Sequence, residues 1–514
     1  MTHSASYSDN WEFTDWKKLQ KVLFRLQKRI FKAIREENKA KAKRLQKLLL
    51  SSYAARMLAI RQVTQLNTGK KTAGIDGVKE LNFKQRFDLE TTLKENYRTW
   101  QHQSLREIPI PKKDGSKRLL KVPTIADRAW QCLLKYALEP AHEATFHARS
   151  YGFRPGRSTH DAQKILFSQL RSCSNGKTKK ILEIDIEKCF DRINHRAILD
   201  KVIAPEFIIN GLHKCLKSGT NPEFPNQGTP QGGVISPLLA NIALNGIEKI
   251  GEYKNSRGIA SKCLRYADDM VFVLKPEDSA KKILAEVEEF LADRGMNVSQ
   301  KKTKITASTD GFDFLGWHFY VQKDNGKFRS TPSSENFKAF RSKVKHIVNN
   351  SNYGAETKVS KLAPIVRGWR NYHKYCKMDG SRFSLWGLSN SAFRRFKRQK
   401  TINRYQAKEM VKTAFPSVSY SENKFVNVKG DKTPFDGDLN YWAKRNSVLY
   451  EGTTAKTLRK QNHSCGYCGL KFLDQEKIEL HHVDGNHNNW ETKNLLAIHR
   501  SCHHYKHMSN GRKD

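Results

Sequence analysis

Apolar residues recur at Leu19, Val22, Leu26, Ile30 and Ile34, with lysines and arginines between them. That is the spacing of one helix face, and it predicts a basic helical stretch from residue 14 to about 50. The period then shortens. Leu105 to Ile110 and Lys117 to Val122 read as two strands joined by Lys112-Lys113-Asp114-Gly115-Ser116, with Asp-Gly at the tip of a hairpin. A helix is expected over 125–147. Short β-rich runs follow at Ile181–Ile186, on either side of Ala267-Asp268, and at Phe312–Tyr320 around Gly316. Between them, residues 279–294 place Ile283, Leu284, Val287, Phe290 and Leu291 on one helical face. From about 330 to 415 the pattern is helical again, and residues 416–460 lack clear periodicity, predicting a loosely organised connector. Strands and helices alternate from 105 to 320 without GxGxxG or a Walker loop, which argues against Rossmann and P-loop nucleotide binding.

Charge changes this picture. The 514 residues carry 93 Lys+Arg against 51 Asp+Glu, a formal +42, which calls for a polyanionic partner. The helical stretch 330–415 alone has 19 basic and 4 acidic residues, interleaved with Trp369, Tyr372, Tyr375, Phe383, Trp386, Phe393 and Phe396. An acidic membrane surface is the competing partner. No apolar run approaches the roughly 18 to 20 residues that span a bilayer, and no secretory h-region is expected. Six of the nine cysteines are isolated and read as reduced thiols of an intracellular protein.

Candidate chemistry centres on Tyr266-Ala267-Asp268-Asp269, two acids at the tip of a predicted hairpin. An Asp-Asp pair alone is usually a solvated turn. A third acid, Asp185, ends the upstream apolar strand, and three such carboxylates suit Mg2+ in phosphoryl transfer. Cations of the 105–123 hairpin, Lys112 and Arg118 among them, suit a triphosphate or are merely solvated. Two loops invite a nucleic-acid backbone: Tyr151–Ser158, rich in glycine, arginine and aromatics, and Gln227–Pro237, whose glycines permit close approach and which enters a helix at Pro237. In the tail, Cys465-x2-Cys468 and His499-x2-Cys502 suit tetrahedral Zn2+.

The order of these motifs resembles the reverse transcriptase and maturase encoded by mobile group II introns. The Gly74–Gly77 loop, the Ser150–Ser158 segment, the Asp185 strand, the Pro-Gln-Gly loop, the YADD box, the Lys302 segment and the Phe314-Leu315-Gly316 turn carry it, and Ile365–Tyr372 looks like the family's maturase, or thumb, domain. The resemblance implies an α+β right-hand polymerase with fingers, palm and α-helical thumb. It implies a basic N-terminal extension at 1–75, fingers and palm at 76–330, thumb at 331–415, a DNA-binding connector at 416–460 and an HNH endonuclease at 461–514. Asp185, Asp268 and Asp269 become the Mg2+ ligands. Phe190 takes the place of the residue that blocks a ribose 2′-hydroxyl, Lys112 and Arg118 bind the incoming triphosphate, Gln231 and Gly232 line the template–primer groove, and Lys302 is a candidate general acid.

Glu479-Leu480-His481-His482, Asn494, His503 and His507 resemble the HNH ββα-metal motif. His481, His503 and His507 are expected to hold a divalent ion, Mg2+ by preference, with His482 as general base and Asn494 orienting it. A zinc module with incidental histidines is the plainer reading. His499 departs from the four cysteines of many relatives. The implied partners are intron RNA, double-stranded target DNA and dNTPs, in a bacterial cytoplasm, nucleoid-associated on the DNA target, or in an organelle. A maturase without polymerase activity is the alternative; a CRISPR- or retron-associated enzyme would lack the tail module.

Overall fold

The computed structural model describes Trp11 and residues 14–503, apart from 112–114, 116, 220–223, 257, 379, 381, 400, 451, 470–471, 473–477, 487–488 and 501. Its centre is a four-stranded antiparallel sheet in the order Cys263–Tyr266, Asp269–Leu274, Lys180–Ile184, Lys304–Ala307. Alternation along each strand sends Leu182, Ile184, Phe272 and Leu274 into one core and Ile181, Val271 and Val273 into another. Both faces are therefore covered, which is why Met270-Val271-Phe272-Val273-Leu274 reads as an unbroken apolar run.

The first core is built largely from helices: Ile125–Glu143, Ser236–Leu244 and the N-terminal helices. The basic stretch from 14 to 50 is two helices, Trp16–Arg35 and Lys39–Leu50. Glu37 takes a positive φ of 56° and the Asn38 side chain caps the second helix, so the chain reverses there. Leu23, Leu26 and Ile30 join the core of the sheet, so this region is integral to the fold rather than an appendage. The predicted hairpin pairs Arg106–Pro111 with Lys117–Val122. A second small sheet, Phe312–Phe314, Trp317–Val321 and Phe328–Pro332, leads into four helices, Ser334–Asn349, Ala355–Tyr372, Trp386–Lys397 and Arg404–Ala414.

The connector is a correction to the sequence reading. Residues 421–445 are strapped across the loop at 151–164, with Phe425, Val428, Phe435 and Trp442 buried. Buried Asp161 accepts from the Val428 amide at 2.6 Å and from Arg445 at 3.1 Å, and Arg157 donates to the Gly430 carbonyl at 2.9 Å. Helices Leu439–Leu449 and Gly452–Lys460 then lead to the tail hairpin, Ile478–His482 paired with Leu495–His499. No described helix is long and apolar enough to cross a membrane.

Candidate polymerase site and tail metal centre

Strand register brings the acids together. Glu183 pairs with Val271 and Ile184 with Met270, so one step further Asp185 stands opposite Asp269. Directly opposed residues have Cβ atoms about 5 Å apart. Asp268 sits in the two-residue turn between Tyr266 and Asp269, after Ala267 at φ 60°. Burial, then the charges of Asp268 and Asp185, push the Asp269 carboxyl up to about 6; burial, with Asp185 also contributing, raises Asp268. The Lys302 ammonium lies 2.8 Å from Asp185 Oδ2. That hydrogen bond raises the lysine above its ordinary value, so it is charged at neutral pH.

The rim of the cleft comes from distant segments. Arg118 Nε donates to Gln231 Oε1, and Gln231 Nε2 donates to Asp191 at 3.2 Å. The Gln231 carbonyl accepts from the Lys121 amide at 2.8 Å, joining the Pro-Gln-Gly loop to the hairpin. Gly232, at φ 124°, lies so close that a Cβ would stand 2.8 Å from the Lys121 carbonyl. Phe190 is half-buried and edge-on to exposed Phe153, with ring centroids 6.3 Å apart. Lys112 lies outside the described residues.

Two expectations for nucleic-acid contact change. Arg154 is buried in a bidentate pair with Glu143, both bonds 2.9 Å, and Arg157 holds backbone carbonyls. These arginines build the loop instead of facing a ligand. In the helical domain, Trp369 stacks on Phe340 at 4.4 Å and Tyr372 on Trp317 at 4.5 Å. Of the aromatics named from sequence there, Trp386 alone among the described residues is largely exposed, at 72%.

In the tail, Cys465, Cys468, His499 and Cys502 offer ligand atoms within 4.8 Å of one another. His499 Nδ1 lies 3.3 Å from Cys468 Sγ and 3.7 Å from Cys502 Sγ. Sulfur and nitrogen ligands on tetrahedral zinc are separated by about 3.6 Å, so the set fits, with His499 as fourth ligand. His481 faces His503, centroids 5.3 Å apart, and Glu479 holds His503 Nδ1 at 2.7 Å. His482, next along the strand, is instead edge-on to Trp490 at 5.1 Å. The Asn494 amide nitrogen donates to Asp484 at 2.8 Å and to the Asn489 carbonyl at 3.0 Å, and its oxygen accepts from the Asp484 amide at 2.9 Å. Asn494 thus staples the loop after His482. His507 lies outside the described residues.

Residues 110–319 match the family "Reverse transcriptase (RNA-dependent DNA polymerase)", residues 11–93 "N-terminal domain of reverse transcriptase", and residues 337–413 "Group II intron, maturase-specific domain". Maturase-like protein 1 of Euglena gracilis is 37% identical over 462 residues, covering 89% of this chain and 96% of its own. The chain belongs to the family of group II intron-encoded reverse transcriptase–maturases. Maturase-like protein 1 of Euglena longa is 34% identical, covering 89% of this chain and 97% of its own. Group II intron-encoded protein LtrA of Lactococcus lactis is 26% identical over 59% of this chain and 62% of its own.

This maturase therefore carries a reverse transcriptase domain and a splicing domain in one chain. Sequence reasoning missed Arg265, the residue before the YADD box. It is fully buried and donates to the Ala267 carbonyl of the turn that bears Asp268 at 2.8 Å. A lone arginine inside an apolar strand was the available signal.

The raised Asp269 carboxyl gives a pH prediction. In the metal-free protein its fold-stabilising effect is present below about pH 4, the unfolded value, and is lost as pH rises to about 6. Divalent binding has the opposite sign, because the ion displaces that proton. Mn2+ affinity should fall by up to about tenfold per pH unit below 6 and level off above it. Titration by electron paramagnetic resonance between pH 5 and 8 checks this, and a flat profile would mean that Asp269 is charged throughout.

Proposed function

We propose that this maturase copies RNA into DNA at Asp185, Asp268 and Asp269, assists splicing of a group II intron RNA through its basic helices, and nicks double-stranded target DNA with its tail. The cut 3′ end then primes copying of the inserted intron. The observation that carries the polymerase reading is the register that sets Asp185 opposite Asp269 beside Asp268. When bound there, two Mg2+ ions would neutralise the transferring phosphoryl group and activate the primer hydroxyl.

The chain's own residues do the rest. Arg118, on the hairpin wall, binds the triphosphate of the incoming dNTP. Gln231 and Gly232 keep the loop against that hairpin and line the template–primer groove. Lys302, held protonated by Asp185, donates a proton to the departing pyrophosphate. Phe190 closes the space that a ribose 2′-hydroxyl would need. For the tail, His481 and His503 around one ion, the Cys/His set as structural zinc and His482 as base support the nuclease reading. A splicing factor without polymerase activity is the second reading; the intact acidic register favours the first.

Phe190→Val should lower discrimination between dNTP and NTP by at least about tenfold, since it opens the volume of a few methyl groups where the two sugars differ. Single-nucleotide incorporation with each substrate measures it, and an unchanged ratio would reduce Phe190 to packing.

A further inference from the structure

We propose that Arg265 is a positioning residue for the metal-binding turn, holding Ala267-Asp268-Asp269 in the one backbone shape that presents both carboxylates to Asp185. The proposal rests on the polymerase reading above.

A guanidinium has five N–H donors, and this one directs them at four partners. Nε donates to Glu248 Oε1 at 2.7 Å, and one Nη stands 2.6 Å from the same oxygen in an ion pair; the Nη groups donate to Asn241 Oδ1 at 2.9 Å, the Ala267 carbonyl at 2.8 Å and Ser150 Oγ at 2.8 Å. Arg265 and Glu248 are both fully buried. Water cannot replace any of these bonds, so each lost partner leaves an unpaired donor or acceptor in the interior.

The turn needs this. Ala267 has φ 60°, a region that L-residues other than asparagine, aspartate or histidine seldom occupy and that persists where surroundings over-determine it. Two segments do so. Gly152 lies so close that a Cβ would stand 2.3 Å from the Ala267 nitrogen. Tyr151 donates its amide to the Arg265 carbonyl at 2.9 Å, and Arg265 donates its own to the Arg149 carbonyl at 3.0 Å. Asn241 ties the ends together, since its nitrogen donates to the Gly152 carbonyl at 2.8 Å while its oxygen accepts from Arg265. The hairpin, the 149–152 loop, the Ser236–Leu244 helix and Glu248 thus converge on one side chain directly behind the acids.

Arg265 is paired with Glu248, so the pair adds no net charge to the cleft. Its contribution is geometric, and geometry at a two-ion site reads out as metal affinity. Arg265→Lys keeps the charge but cannot reach all four partners. Mn2+ binding, measured by electron paramagnetic resonance, should weaken by about tenfold, as for other residues that support metal ligands from behind. The Mg2+ concentration for half-maximal primer extension should rise in parallel, while the dNTP KM at saturating Mg2+ stays within about twofold. Ser150→Ala removes a single bond and should shift both metal readouts in the same direction by less; it carries the test if Arg265→Lys does not fold. A folded variant with unchanged Mn2+ affinity and an unchanged Mg2+ midpoint, whatever its thermal stability, overturns the proposal. Wild-type protein that binds no Mn2+ at the three acids would instead overturn the polymerase reading itself.

Discussion

Primer extension on an RNA template should fall by at least about a thousandfold in Asp269→Ala and in Asp268→Ala, a loss of about 4 kcal/mol of transition-state stabilisation. The reason is electrostatic. Burial, and after it the charges of Asp268 and Asp185, hold the Asp269 carboxyl above its ordinary value, and a divalent ion would offset both. Removing either member leaves too little negative charge to hold two ions in line. Splicing of the intron RNA should persist in both variants, because the helices that carry the basic surface pack around their own core, Phe340, Val344, Leu362, Val366 and Phe396 among its members. Paired extension and splicing assays on one preparation make the comparison. Extension at the wild-type rate by a folded Asp268→Ala protein would remove this site from consideration.

The second large effect separates the two metal roles in the tail. Cys468→Ala should release zinc and unfold the segment around the Ile478–His482 and Leu495–His499 hairpin. The binding energy of a closed four-ligand site, about 10 kcal/mol or more, would there be the folding energy of a segment whose small core, among the described residues, is Cys465, Ile498 and Cys502 with Cys468, Phe472 and Leu496 against it. Nicking of double-stranded DNA would vanish with it. His482→Ala should stop nicking by about a hundredfold or more while zinc content and primer extension stay at wild-type levels. Bound zinc and strand nicking, measured on both variants, decide the matter. Zinc lost from His482→Ala but kept by Cys468→Ala would mean that the assignments are reversed. Nicking by both would mean that the tail is not a nuclease of this type.

Much of the polymerase site was legible because its chemistry is local. Asp268 and Asp269 stand side by side in sequence, and Asp185 ends a strand whose apolar run announces itself. The Cys465-x2-Cys468 and His499-x2-Cys502 spacings told equally of the tail cluster, His499 included, and the four ligand atoms lie within 4.8 Å of one another. What the sequence hid was what acts at long range. Arg154 and Arg157 looked like a ligand-facing pair, yet their partners are a glutamate eleven residues back and carbonyls about 270 residues ahead. Interleaved aromatics looked like a stacking platform, yet a ring of Trp369's size is used as readily to join two helices as to meet a base. Residues 416–460 gave no period because much of their order comes from another segment's side chains, Asp161, Arg157 and Lys164, bonding to their backbone, and such contacts leave no trace in spacing.

The strap at 421–445 also fixes where this protein can be divided. The helix Arg404–Ala414 ends the match to the maturase-specific domain, and a fragment drawn there would look complete by motif. It would leave the Asp161 carboxylate without Val428 and Arg445, and would bare the surface that Trp442 covers at Gly156. Gly156 lies four residues from Gly152, which packs against the turn bearing Asp268. A minimal polymerase cut from this chain therefore has to run past Arg445, and the natural seam lies between the strap and the helix Gly452–Lys460.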